Sequence, residues 1–79
     1  MDIGHRIRDL RKKQGLTQEE LADRVGVSRQ AVSKWESGQT APDLERLLAV
    51  SRQLGTTTDY LLTGQHPALR EQGPDAAIF

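Results

Sequence analysis

The sequence predicts an all-α fold of five short helices, and three observations carry that prediction. Apolar residues recur at intervals of three and four, the period of one helix face. Five of the seven glycines (Gly15, Gly26, Gly38, Gly55 and Gly64) fall just past such stretches, where glycine takes a left-handed cap without steric cost. Thr17, Ser28 and Thr57 stand where helix starts need a side-chain acceptor.

Helix one is expected from Ile3 to Gln14, with Ile3, Ile7 and Leu10 on its inner face and Arg6, Arg8, Lys12 and Lys13 largely off it. Helix two runs from Gln18 to Val25. Thr17 and Glu20 form the T-x-x-E capping box, Leu16 and Leu21 sit at hydrophobic-staple positions, and Leu21, Ala22 and Val25 make the buried face. Helix three runs from Arg29 to about Ser37, capped by Ser28 and stapled by Val27 and Val32. Helix four starts near Pro42-Asp43, carries Leu44, Leu47, Leu48, Ser51 and Leu54 on one stripe, and stops at Gly55. Helix five spans Thr58 to Thr63 behind Thr57, with Leu61 and Leu62 expected to be buried.

Seventy-nine residues suffice for one small domain. Residues 1–64 form that unit. Residues 65–79 hold two Pro, one Gly and no sustained period, so they read as a flexible C-terminal tail, with apolar Ala76-Ala77-Ile78-Phe79 at its end. The absence of cysteine excludes disulfide staples, thiolate metal sites and a Cys nucleophile. No apolar run approaches the roughly 18 residues of a membrane span, and the N-terminus carries no secretory signal. The two histidines, His5 and His66, have no spacing that makes a metal pair, and neither a Gly-rich phosphate loop nor a nucleophile elbow occurs. The expectation is therefore a non-enzymatic chain without cofactor, metal or membrane association, working in the cytoplasm.

Net charge is zero, yet it is unevenly placed. Residues 1–38 carry eight Lys or Arg against six Asp or Glu, whereas residues 39–79 carry three against five. Charge alone does not name a partner; the connection between helices two and three does. About three residues with Gly26 in the middle force two helices to cross steeply, the helix-turn-helix geometry. Ala31, Val32 and Trp35 can fasten helix three to the domain, leaving Arg29, Gln30, Ser33 and Lys34 outward. The major groove of B-DNA admits one such helix, with arginine suited to guanine and glutamine to adenine. Arg29 and Gln30 lie in the first turn, and Ser28 and Ser33 are short enough to read a base or meet a phosphate. Thr17 and Gln18 open helix two, whose free N–H groups and dipole favour a phosphate. Lys34 and Gln39 flank the end of helix three, within reach of the backbone.

The segments Leu16-Thr17-Gln18-Glu19-Glu20-Leu21-Ala22 and Val25 through Gly38, followed by Pro42, Leu54-Gly55 and Asp59-Tyr60-Leu61-Leu62, resemble the Cro/CI-type helix-turn-helix domain of the Xre family. The likeness spans about residues 3–64. It implies a lambda-repressor-like five-helix domain that binds double-stranded DNA as a homodimer on a near-palindromic operator, serving as repressor or autoregulator in the nucleoid. Base reading then falls on Arg29, Gln30 and Ser33 with Ser28 and Lys34 beside them, and phosphate contact on Gln18. The resemblance also implies an ion pair between Arg11 and Glu36 that orients helix three, and makes Trp35 a packing residue. Two departures stand out: Thr56 replaces a usually apolar residue, and no Lys or Arg lies between Gly38 and Glu45, so one copy alone is expected to bind weakly. A second class of function for such a domain is protein interaction, as an antitoxin or coactivator-like adaptor with its partner on the tail.

Overall fold

The computed structural model describes residues 2–65 and folds them into α1 (Ile3–Lys13), α2 (Gln18–Val25), α3 (Arg29–Ser37), α4 (Leu44–Gln53) and α5 (Thr58–Thr63). The tail reading, including Ala76–Phe79 and His66, lies outside the described residues. No strand occurs among the described residues.

Each helix starts on a side chain three residues from the N–H it caps: Asp2 on His5, Thr17 on Glu20, Ser28 on Ala31, Asp43 on Arg46 and Thr57 on Tyr60. At α2 the box is reciprocal, with the Thr17 N–H donating to Glu20 Oε1 at 2.8 Å and the Glu20 N–H to Thr17 Oγ1 at 3.0 Å. Gln14 is the cap of α1 rather than its last helical residue. Its side-chain amide donates to the Leu54 carbonyl at 2.6 Å and ties the end of α1 to the end of α4.

The core gathers one face from every helix: Ile7, Leu21, Ala22, Val32, Trp35, Leu47, Val50, Leu54 and Leu61, with Leu16 from the α1–α2 connection. Val50 belongs to this core and Leu44 and Leu48 do not, so the stripe expected on α4 is corrected. The buried set is Leu47, Val50, Ser51 and Leu54, at i, i+3, i+4 and i+7. Leu48 follows Leu47 by one residue and is turned about 100° away. Leu44 opens the helix beyond the edge of the core and is 71% exposed. Leu62 is likewise 58% exposed, because a helix of six residues turns only one face inward and Leu61 takes it.

One glycine that ends no helix sets the α1–α3 distance. Gly4 is buried within α1. A Cβ built there would collide with the Trp35 carbonyl oxygen and lie 3.1 Å from that of Glu36. The backbone of α1 therefore rests directly on the C-terminal turn of α3. At the other end of the chain, Arg6 Nη1 donates to the Leu61 carbonyl at 2.9 Å and holds α5 against α1.

Two outcomes follow. Gly4→Ala forces α1 away from α3 and is expected to destabilise the domain by about 1–3 kcal/mol, seen as a lower midpoint in thermal denaturation; an unchanged midpoint would mean that the helices separate freely. The Glu20 carboxyl is held below its ordinary value of 4.5, first by the Thr17 N–H and then by the Thr17 side chain. Because the folded value is the lower one, this contribution is complete above the unfolded value and disappears as pH falls through the folded one. Glu20→Gln is expected to flatten the acid limb of the melting temperature measured from about pH 6 to about pH 3.

Candidate nucleic-acid interface

The surface of α3 divides along its length. Val32 is 0% exposed and Trp35 5%, both in the core. Arg29 and Gln30 are exposed in the first turn, and neither side chain takes an intramolecular hydrogen-bond partner among the described residues. Ser33, one turn later, is half-buried. Ser28 Oγ accepts from the Ala31 N–H at 3.2 Å, which leaves its hydroxyl proton free to donate elsewhere. Lys34 and Gln39 are exposed at the far end, where the Gln39 N–H donates to the Lys34 carbonyl at 3.0 Å.

Beside that face α1, α2 and α3 enclose an open hollow of about 290 Å³, bounded by Arg8 and Lys12 of α1, Gln18 of α2, and Ser33 and Ser37 of α3. The buried pair of Arg11 and Glu36 also lines it. Arg11 Nε donates to Glu36 Oε2 at 2.6 Å and Nη2 to Oε1 at 3.0 Å, a two-point contact that a planar guanidinium and a carboxylate make well. Arg11 Nη1 donates to the Leu16 carbonyl at 2.7 Å, so the pair also braces the connection into α2. Gln18 Nε2 donates to Glu36 Oε1 at 3.1 Å. Among the described residues no buried side-chain polar atom lacks a partner.

This arrangement brings Gln18 and Ser33 to one hollow, with Arg29 and Gln30 on the outer side of the same α3. Thr17 is occupied with its capping box, and the backbone N–H groups of Gln18 and Glu19 are the first-turn donors that a helix leaves unpaired. Arg8 and Lys12 are cations that sequence reasoning left as general surface. Their spacing of four residues, which sets both on one side of α1 away from Ile3, was the available signal. No cluster of metal-ligating side chains occurs among the described residues, and no described helix is long and apolar enough to cross a membrane.

Comparison with known proteins agrees with the geometry. The transcriptional activator BcrR of Enterococcus faecalis is 43% identical over 65 residues, covering 82% of this chain and 32% of that protein. Repressor protein C2 of Salmonella phage P22 is 48% identical over 62 residues, covering 78% of this chain and 29% of the repressor. The chain thus spans about a third of the length of these relatives. The crystal structure of the P22 c2 repressor protein in complex with synthetic operator 9T superimposes with a TM-score of 0.80 at 46% identity, covering 82% of this chain and 98% of that one. The NMR structure of the P22 c2 DNA-binding domain gives 0.78 at 47% identity, covering 81% and 84%. Residues 7–61 match the family described as Helix-turn-helix. With five helices in the lambda-repressor arrangement and α2 and α3 as its central pair, the chain belongs to the helix-turn-helix family.

Proposed function

We propose that this protein is a sequence-specific binder of double-stranded DNA that regulates transcription as a repressor or autoregulator. The observation that carries this reading is α3, exposed at Arg29 and Gln30 and locked to the core by Val32 and Trp35, beside a hollow edged by Arg8 and Lys12. Its likeness to a repressor crystallised with its operator supports the same reading. In it, α3 enters the major groove with Arg29, Gln30, Ser33 and Ser28 toward base edges. Thr17 and Gln18 approach one phosphate from the start of α2, and Lys34 and Gln39 flank the backbone beyond α3. Arg8 and Lys12 add charge on the α1 side. Residues 1–64 act as the DNA-binding domain and residues 65–79 as a tail. The protein works in the cytoplasm on the nucleoid and has no catalytic role.

A chain of zero net charge with few phosphate-facing cations gains little affinity from counterion release. Two copies on a near-palindromic operator, with their α3 helices in major grooves about 34 Å apart, multiply the contacts without new chemistry. Selection of bound duplexes from random DNA tests the reading, with a twofold-symmetric motif expected. No enrichment over input would overturn it and leave the protein-partner alternative.

Arg29→Ala is expected to lose about 1–3 kcal/mol on the selected duplex and relax preference at one base pair. Equal weakening on all duplexes would make Arg29 a phosphate ligand instead. Replacing both Arg8 and Lys12 by Ala is expected to weaken all duplexes alike. It also lowers the slope of log affinity against log salt by about 1 for each residue lost. An unchanged slope would remove α1 from the interface.

A further inference from the structure

Gln18 differs from an ordinary exposed glutamine in one respect: a buried anion holds its amide. Nε2 lies 3.1 Å from Glu36 Oε1, and the Glu36 side chain is only 4% exposed. A carboxylate accepts and never donates. The amide must therefore turn its NH2 group toward Glu36 and its carbonyl oxygen away, and only one of the two N–H bonds is used. Gln18 and Glu36 both line the hollow, together with Arg8, Lys12 and Ser33. The second N–H remains available there.

Glu36 is itself held at both oxygens by Arg11, which is in turn fixed by the Leu16 carbonyl. A run of hydrogen bonds thus leads from the α1–α2 connection through Arg11 and Glu36 to Gln18 at the first position of α2. Glutamine is among the side chains that lose most rotamer freedom when ordered. An amide already fixed in the free protein avoids that loss on binding, which is how preorganisation raises affinity. Glu36 lies on α3 and Gln18 on α2, so the same carboxylate that sets the tilt of the groove helix also sets the direction of the phosphate donor.

We propose that Glu36 is a positioning residue for phosphate recognition: it holds the Gln18 amide so that its free N–H faces a DNA phosphate. This inference rests on the DNA-binding reading above. It gives Glu36 a role beyond neutralising Arg11, and separates the two by reach, since Asp retains the charge while retracting the oxygens by one methylene.

The test is a double-mutant cycle on the duplex recovered by selection, using the full chain, Gln18→Ala, Glu36→Asp and the double variant, with thermal midpoints recorded alongside. Gln18→Ala in the unsubstituted background is expected to weaken binding about fivefold. In the Glu36→Asp background it is expected to have little further effect, because the donor is already misdirected. Equal losses in both backgrounds, with Glu36→Asp changing only the midpoint, would overturn the proposal and leave Glu36 purely structural. A measurement on the unsubstituted protein stands apart from any folding defect. In nitrogen-15 spectra of the free protein, one Gln18 side-chain N–H is expected to exchange slowly with solvent, and the other to shift when the duplex is added. If both exchange as fast as those of exposed Gln53, the hydrogen bond is absent and the proposal fails. Failure of the unsubstituted chain to bind any duplex would overturn the DNA-binding reading itself, and the proposal with it.

Discussion

The carboxylate of Glu36 is the group on which this small fold turns. It is a charge placed where water hardly reaches, and it is tolerable only because Arg11 meets it at two points. Burying both ions gives little net stability by itself, since desolvation offsets much of their attraction. Its value is directional. Removing either partner would strand a charge in the interior, so the helices that carry them, α1 and α3, have one satisfactory relative position. The Leu16 carbonyl on Arg11 and the Gln18 amide on Glu36 extend that constraint to the start of α2. Three helices are thereby oriented by a single polar cluster.

Apolar packing supplies the cohesion that this cluster directs. Trp35 and Val32 press α3 into the core, and Gly4 lets α1 settle on the last turn of α3 with no side chain between them. That close approach brings Arg8 and Lys12 level with Gln18 and Ser33 around one hollow. Cations, amide and hydroxyl converge there because backbone and ion pair have already been fixed. The outer turn of α3 takes no part in this network, which leaves Arg29 and Gln30 at liberty to meet a partner.

Much of this was legible in the residues because the signals were local. Apolar periodicity, capping side chains at Thr17, Ser28 and Thr57, and glycines at the left-handed positions placed the five helices, and α2, α3 and α5 kept their expected bounds, whereas the Asp2 cap of α1 went unread. What was not legible required knowing which way a short helix faces. Leucine content pointed to Leu44, Leu48 and Leu62 as buried, whereas the position of the core over α4 selected Val50 instead. Gly4 gave no sign of its role, since a glycine inside a helical stretch does not disclose what lies opposite it. The Gln18–Glu36 bond was hidden for the same reason: both residues had been given separate purposes, and only the tertiary fold sets them side by side.

The five self-contained caps bear on kinetics as well as on shape. Each helix resolves its own N-terminal donors within a turn of sequence, so the segments carry their start points before any of them meet. Assembly then requires few distant encounters, among them the joining of Arg11 to Glu36 across twenty-five positions of chain. Helical folds of this local character reach the native state in microseconds to milliseconds. A domain that folds on that timescale leaves its apolar faces uncovered only briefly.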